Sequence, residues 1–310
     1  MSTANSLIPH GFLESPVSRD VSGSDVVVLG VPYDLATTGR AGARKGPQAI
    51  RQASWEMSWE KRRWPWRFAL EDRLGVIDYG DVEFDPGDSS QLVDVLQAHA
   101  RDILSAGKTL LSLGGDHFVS LPLLREHAAK HGPISLIHFD SHTDTEEIEG
   151  AFNHGDMFRK ANQEGVIDTA HSIQIGIRTE YEHDGHPFTV LDAAWVNDHP
   201  AGEIVDVIER VVGATPAYLS FDIDCLDPAY APGTGTPVPG GLTTDMALKI
   251  LRGLVGCNLV GMDLVEVAPA YDHAQITSLA AATIAMEFLY VFAADRGDLG
   301  RAYEREADSR

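Results

Sequence analysis

The stretch Leu136-Ile137-His138-Phe139-Asp140-Ser141-His142-Thr143-Asp144-Thr145 begins as an apolar run typical of a buried β-strand and ends in alternating polar residues. Side chains two positions apart on a strand point to the same face, so Asp140, His142 and Asp144 would converge if the extended backbone continued through them. Aspartate is depleted in strands, which means that its presence needs a reason. The stretch therefore predicts a divalent-cation site at a strand end. The alternative is an exposed strand end with alternating polar residues.

Short apolar segments alternate with helical patterns on both sides of this stretch. We predict strands at 26–30, 74–79, 109–113, 134–139, 172–177, 190–191, 217–221 and 259–265. Helices are predicted to begin at Gly46 and to cover 89–106, 121–131, 201–212, 243–254 and 276–293. Such alternation indicates a parallel sheet with helices on both faces. We therefore expect an α/β protein with one three-layer α/β/α domain and a roughly eight-stranded parallel sheet.

The chain shows no linker and no internal repeat, so we assign residues 25–295 to this one domain. Residues 1–24 are expected to form an N-terminal arm, and residues 296–310 a charged C-terminal tail. The segment from Trp55 to Phe68 holds four of the five tryptophans, and we expect it to pack in the core or between subunits.

Composition limits the class of protein. The net charge of −22 makes nucleic acid a poor partner, because its binding depends on basic contacts to phosphates. Cationic substrates and metal ions suit this charge better, although acidity also simply favours solubility.

The first twenty residues contain no apolar signal-peptide core, and no apolar run approaches the roughly 20 residues of a membrane span. With only two cysteines, Cys225 and Cys257, we expect a cytoplasmic enzyme with reduced thiols. We interpret Cys225 as a small buried residue; the alternative is a catalytic thiol.

More ligand-type residues follow other predicted strands. Gly114-Gly115-Asp116-His117 comes after strand 109–113, and Asp222-Ile223-Asp224 comes after strand 217–221. Sites in such sheets lie at the carboxyl ends of the strands. The predicted ligands are two imidazoles and four carboxylates: His117, Asp140, His142, Asp144, Asp222 and Asp224.

The types of these ligands indicate which metal they bind. Carboxylates mixed with imidazole suit Mn²⁺, and four carboxylates are too many for a single divalent ion. They suit two ions bridged by a carboxylate and a water. Such a pair lowers the pKa of the bridging water, which then attacks as hydroxide near neutral pH.

Several motifs together resemble the ureohydrolase family, which includes arginase and agmatinase, and the resemblance is closest to the bacterial agmatinases. The matching motifs cover nearly the whole chain: residues 30–40, 114–117, 138–144, 174–180, 220–228, 231–237 and 262–269. The resemblance implies an arginase-like fold, two Mn²⁺ per subunit, a trimer or hexamer, and hydrolysis of a guanidinium group to urea and an amine.

The resemblance also implies three catalytic roles. His154 matches the family's proton-shuttling histidine, Glu266 matches the carboxylate that pairs with the guanidinium, and Asp144 would hold the attacking hydroxide as well as a metal. Without the resemblance, His154 would be taken for an ordinary loop histidine. The roles are reasonable, because a carboxylate accepts a bidentate pair of N–H donors and a histidine can protonate the leaving amine.

The predicted reaction is hydrolysis of agmatine to putrescine and urea, a step of polyamine biosynthesis. Alternatives are a guanidinobutyrase or another guanidino-acid ureohydrolase. From other classes, a non-catalytic metal-binding homologue is disfavoured by the complete set of ligands, and a zinc amide hydrolase on a related fold would hold a single metal ion. The expected partner is a small cationic guanidino compound, with no nucleic acid and no membrane.

Specificity is expected to lie in loops around the ligands. The loops at 32–44 and 231–240 should line the cleft, and the acidic segment 146–149 is hypothesised to favour the ammonium of agmatine over a carboxylate. Two residues depart from the family's pattern. Ser141 replaces an expected Ala and should point away from the ligands with little effect. Asp156 would either raise the pKa of His154 or face solvent.

Overall fold

A parallel sheet runs through the middle of the structure, a computed structural model that describes residues 10–294. Within that range its eight strands are β1 (Val26–Gly30), β2 (Val76–Asp81), β3 (Thr109–Leu113), β4 (Ser135–Phe139), β5 (Ile173–Ile177), β6 (Thr189–Asp192), β7 (Ala217–Asp222) and β8 (Leu259–Val265). They lie in the order β2-β1-β3-β8-β7-β4-β5-β6, and every neighbouring pair is parallel. The predicted α/β fold with an eight-stranded parallel sheet is confirmed.

The helices flank this sheet. They are α1 (Gly46–Trp55), α2 (Ser89–Ser105), α3 (Ser120–His131), α4 (Met157–Gln163), α5 (Ala193–Asp198), α6 (Ala201–Val212), α7 (Thr244–Gly253) and α8 (Ile276–Ala293). The predicted helices are all present, with boundaries that differ by at most one residue at an end. Helices α4 and α5 were not predicted, because helices of seven and six residues are too short for a clear apolar period.

The inner strands of the sheet are buried on both faces, which explains why they are mostly apolar. In β1, Val26 and Val28 belong to one buried apolar cluster, and Val27 and Leu29 belong to the other. Alternate side chains of a strand point to opposite faces, so each cluster fills the space between the sheet and one layer of helices. The three-layer arrangement leaves the carboxyl ends of the strands as the edge where polar side chains gather.

Helix α8 is long and apolar enough to cross a membrane, contrary to the expectation that no segment approaches that length. However, 72% of it is buried within the protein, so it serves here as a core helix. Its Glu287 is also buried and accepts hydrogen bonds from Trp66 Nε1 at 2.7 Å and from Arg252 Nη2 at 2.6 Å. These contacts join α8 to α7 and to the tryptophan-rich segment.

The tryptophan-rich segment divides into a buried and an exposed part. Trp66 is 3% exposed and stacks on Tyr290, whereas Trp59 and Trp64 are 80% and 59% exposed. Core packing is therefore confirmed for Trp66 alone. A role of the exposed tryptophans between subunits stays a prediction.

The described part of the predicted N-terminal arm lies against the domain. Phe12 is buried, its N–H donates to Asp78 Oδ2 at 2.8 Å, and Val17 forms a parallel bridge with Asp78. The predicted tail at 296–310 lies outside the described residues.

His127 in α3 is expected to make the stability of the protein depend on pH. It is fully buried, its Nδ1 donates to Leu123 O at 2.8 Å, and burial lowers its pKa from 6.5 to about 4. Between these values the unfolded chain binds the proton and the folded chain does not, so stability falls as the pH drops from 6.5 to 4. We expect this residue to account for a loss of roughly 3 kcal/mol over that range.

The measurement is denaturant unfolding at several pH values for the wild type and for His127→Leu, which keeps the apolar volume. The variant should lose less stability on acidification than the wild type. An identical decline in both proteins would contradict the assignment to His127.

Candidate metal centre and active site

The polar side chains of the site come from four strands that are neighbours in the sheet, in the order β3-β8-β7-β4. All six predicted ligands follow or end β3, β4 and β7, and Glu266 follows β8. Because the strands are parallel, their carboxyl ends meet at one edge, and the structure brings the six ligands and Glu266 together there.

The convergence of Asp140, His142 and Asp144 is produced by a loop and not by a continued strand. Strand β4 ends at Phe139, and Asp144 has a φ of 53°, in the left-handed region. The loop is held by Asp140 Oδ1, which accepts the N–H of His142 at 2.7 Å. A left-handed conformation costs a non-glycine residue about 1–3 kcal/mol, which is typical of functional sites.

One group of ligand atoms surrounds His117. Its Nδ1 lies 2.8 Å from Asp144 Oδ2, 3.1 Å from Asp140 Oδ2 and 3.3 Å from Asp222 Oδ2. His117 and Asp140 are 0% exposed. One imidazole nitrogen and three carboxylate oxygens thus face a common point.

The protonation of His117 is determined by its other ring nitrogen. Nε2 lies 2.8 Å from Ser220 Oγ, which donates its own hydrogen to Asp263 Oδ1 at 2.7 Å. Ser220 must therefore accept from His117, so Nε2 carries the proton of the neutral ring and Nδ1 presents a lone pair. This is the tautomer that a metal ligand requires.

A second group of ligand atoms surrounds His142. Its Nδ1 lies 3.2 Å from Asp140 Oδ1 and 3.2 Å from Asp224 Oδ2. Asp140 therefore contributes Oδ2 to the group around His117 and Oδ1 to the group around His142. This is the geometry expected of a carboxylate that bridges two ions.

The electrostatics of the site fit bound cations. Burial and the charges of Asp224 and Asp140 raise the pKa of Asp222 well above its usual range. Burial acts to lower the pKa of His142, but its hydrogen bonds to Asp140 and Asp224 and their charges raise it to about 12. The carboxylates thus favour positive charge at the histidine nitrogens, and divalent ions would supply that charge. The donor set fits two such ions.

Ser141 differs from its expected orientation. Its Oγ donates to Asp224 Oδ1 at 2.7 Å, and its backbone N–H donates to the same atom at 3.0 Å. The expectation that Ser141 points away from the ligands was wrong, because it assumed a strand at a position where the chain forms a loop. Ser141 holds the carboxylate of Asp224.

Glu266 and His154 form a pair beside the ligand groups. His154 Nδ1 lies 2.8 Å from Glu266 Oε1, which also accepts the N–H of His117 at 2.9 Å. Glu266 Oε2 is buried and has no hydrogen-bond partner among the described residues. A Cβ placed on Gly235 would lie 3.3 Å from this oxygen, so a glycine there leaves room beside it. Glu266 has a φ of 63°, again in the left-handed region.

The pKa of His154 depends on Glu266. Burial acts to lower this pKa, but the hydrogen bond and charge of Glu266 raise it to about 9. Asp156 does not face solvent, contrary to one of its two sequence-based interpretations, because it is 1% exposed and pairs with Lys160 Nζ at 2.6 Å. An effect of Asp156 on the pKa of His154 stays a prediction. Asp156 is thus held by a lysine of α4.

The loop at 32–44 closes over His154. Thr38 contacts His154 Nε2, which accepts the backbone N–H of Thr38 at 3.0 Å when the ring is neutral and can donate to its Oγ1 at 2.8 Å when the ring is protonated. Asp116 Oδ2 accepts the N–H of Ala36 at 2.8 Å and so anchors this loop to the end of β3. The expected position of this loop at the cleft is confirmed.

A cavity of about 170 Å³ opens onto the ligand groups. It is lined by Thr38, His142, Asp144, Glu146, Ile148, Asn153, His154, Gly155, Asp222 and Thr236. The loop at 231–240 contributes Thr236, whose Oγ1 donates to Asp224 Oδ2 at 3.1 Å. The volume of this cavity suits a small substrate.

His138, a residue of the site, was missed in the sequence. His138 is 0% exposed, and its Nε2 lies 2.9 Å from Asp140 Oδ2. The available signal was its position on the same strand face two residues before Asp140.

Cys225 is fully buried, as we predicted. Burial raises its pKa well above the usual range, so it is unsuited to act as a thiolate.

Comparison with known proteins adds the following. The sequence profile of the arginase family matches residues 24–290. An agmatinase of Serratia proteamaculans is 57% identical over 296 residues, which cover 94% of this chain and 96% of that protein. An agmatinase of Escherichia coli is 55% identical over 298 residues, which cover 95% and 97%.

Solved structures are also similar. A hypothetical agmatinase from Burkholderia thailandensis has a TM-score of 0.89 and 51% identity, covering 91% of this chain and 90% of that one. Proclavaminate amidino hydrolase from Streptomyces clavuligerus has a TM-score of 0.87 and 38% identity, covering 92% and 97%.

Proposed function

The chain belongs to the arginase family, and we propose that it hydrolyses agmatine to putrescine and urea with two Mn²⁺ ions. It is an agmatinase-type ureohydrolase, which cleaves a guanidino carbon–nitrogen bond. The 55–57% identity to agmatinases over nearly the full length carries the proposal. The reaction would place the protein in polyamine biosynthesis.

The ligand atoms support specific assignments. His117, Asp144 and Asp222 would hold one ion, His142 and Asp224 would hold the other, and Asp140 would bridge them. When bound, the two ions would lower the pKa of a shared water so that it attacks near neutral pH.

The other residues of the site would act on the substrate. Glu266 Oε2, which is buried and unpartnered, would accept N–H donors of the guanidinium and so position its carbon. Asp144 would accept a hydrogen bond from the attacking water while it binds a metal. His154, held in place by Glu266 Oε1, would protonate the leaving amine.

The test is urea release from agmatine, 4-guanidinobutyrate, 3-guanidinopropionate and arginine, with Mn²⁺ supplied to metal-free protein. Agmatine should give the highest kcat/KM, and metal analysis should give two ions per chain. A single zinc ion, or faster hydrolysis of a guanidino acid, would overturn the proposal. The guanidino-acid alternative is kept because the proclavaminate amidino hydrolase is 38% identical.

Of the acidic residues at 146–149, Glu146 is the one that lines the cavity. Its Oε2 lies 3.6 Å from a Cβ placed on Gly155, the neighbour of His154. Glu147 is exposed and pairs with Arg159 at 3.3 Å. We therefore narrow the hypothesis about substrate charge from the whole segment to Glu146, which would attract the ammonium of agmatine.

Glu146→Gln is expected to raise KM for agmatine by about two- to fivefold, the effect of one exposed charge pair, and to lower KM for 4-guanidinobutyrate. Steady-state kinetics on both substrates measure this change. Glu147→Gln is the matched control and should leave both KM values unchanged. Equal effects of the two variants would show that only the general negative potential matters.

Localisation, oligomeric state, the interface role of the exposed tryptophans and the domain bounds are also proposals. The protein would act in the cytoplasm as a homo-oligomer, a trimer or hexamer, with the exposed Trp59 and Trp64 at an interface between copies. Light scattering coupled to size exclusion tests the oligomeric state. The domain is proposed to cover 25–295, between an arm and a charged tail.

A further inference from the structure

A chain of buried side chains leads from the ligand Asp140 to a neighbouring strand. His138 on β4 and Gln174 on β5 are direct partners in the register of the sheet, and both are 0% exposed. His138 Nε2 lies 2.9 Å from Asp140 Oδ2, and His138 Nδ1 lies 3.0 Å from Gln174 Nε2. The amide of Gln174 thus connects to a metal ligand through one imidazole.

The same amide makes two other contacts. Gln174 Nε2 donates to Thr143 O at 2.7 Å, and Thr143 stands between His142 and Asp144. Gln174 Oε1 lies 2.8 Å from His186 Nε2. Every polar atom of the Gln174 side chain is therefore engaged, which is costly to disturb in a buried site.

The directions of these hydrogen bonds follow from the amide. Its oxygen can only accept, so His186 Nε2 donates; its nitrogen can only donate, so His138 Nδ1 accepts. The proton of neutral His138 then resides on Nε2 and is donated to Asp140 Oδ2. In this state His138 has no lone pair to offer at Nε2, so it orients Asp140 and does not bind a metal itself.

We propose that Gln174 is a positioning residue for the metal-binding loop at residues 140–144. It holds the loop at two points: it fixes Asp140 through His138, and it fixes the peptide between His142 and Asp144 through Thr143 O. The proposal rests on the proposed binuclear site.

His186 holds the far side of the amide. It is partly exposed, and its ring packs against Tyr181 and Phe188 at centroid distances of 4.8 and 5.7 Å. Its hydrogen bond keeps Gln174 Oε1 satisfied, which prevents the amide from turning over and presenting its oxygen to His138 and Thr143. Replacing His186 should therefore weaken metal binding, but less than replacing Gln174 does.

The experiment is calorimetric titration of metal-free protein with MnCl₂, together with kcat and KM for agmatine at saturating Mn²⁺. Gln174→Leu should weaken Mn²⁺ binding by about 10- to 100-fold, the usual effect of losing an outer partner of metal ligands. Gln174→Glu should weaken it similarly, because an ionised carboxylate donates neither hydrogen bond. His186→Phe, which keeps the ring packing, should cost about threefold.

Ser172→Ala is the matched control. Ser172 is also 0% exposed, and it comes directly before the first residue of β5. Its Oγ accepts the N–H of Leu136 and donates to Asp168 O. The Ser172→Ala variant should have lower thermal stability and unchanged Mn²⁺ affinity. A Gln174 variant would give this same result if the role of Gln174 were only structural.

Unchanged Mn²⁺ affinity in a folded Gln174→Leu protein would overturn the proposal. If no Gln174 variant folds, unchanged affinity in His186→Phe would overturn it instead. Wild-type protein that binds no divalent metal would refute the proposed function itself, so the two failures are distinguishable.

Discussion

Replacing Glu266 by glutamine is expected to lower kcat/KM for agmatine roughly a hundredfold or more. Its carboxylate is buried, with Oε1 accepting from His117 N–H and lying beside His154 Nδ1, while Oε2 has no partner among the described residues. An amide of the same shape cannot neutralise a guanidinium and would turn its NH₂ toward another donor. Loss of one member of a buried charge pair costs about 2–5 kcal/mol.

The measurement is kcat and KM by urea release at saturating Mn²⁺, with metal content determined on the same samples. Glu287→Gln is the matched control, because Glu287 is equally buried and hydrogen-bonded but lies on α8 among Trp66 and Arg252. The control should unfold at a lower temperature and keep normal kinetics. A Glu266→Gln enzyme within tenfold of the wild type would refute the assigned role.

Replacing His154 by asparagine is expected to reduce kcat by about 10²–10⁴-fold, the usual contribution of a general acid. KM should change little, because the proton is transferred in the transition state and the guanidinium is bound by Glu266. Thr38 and Glu266 hold the ring from opposite sides, so asparagine removes the titrating group with little disturbance nearby. A large rise in KM with normal kcat would contradict the assignment.

The pH profile gives a second measure of His154. An acid must carry its proton, and Glu266 raises the pKa of His154 to about 9, so wild-type kcat should fall as the pH rises through that region. Bound ions would offset the charge of Asp144, which also raises this pKa, so the decline should begin at or below pH ~9. The profile of His154→Asn should lack this decline.

The sequence was sufficient for the strands, for the longer helices and for the types of ligand. Apolar runs and helical periods are local signals, so β1, β3, β8, α6 and α8 were predicted with the bounds observed. The ligands could be listed because parallel strands bring their carboxyl ends to one edge, whatever the detailed backbone there.

Only the tertiary structure showed which role each side chain has in the site. Asp144 and Glu266 adopt left-handed backbone conformations that no local pattern indicates, and these direct one carboxylate to the metal centre and the other to His154. The roles of Ser141 and Gln174 depend on contacts of the loop at 140–144 with Asp224 after β7 and with Gln174 on β5, and the orientation of His138 depends on its contact with Gln174. Such contacts join residues far apart in the chain, which is why residue type and spacing specified the chemistry of the site, and only packing specified its geometry.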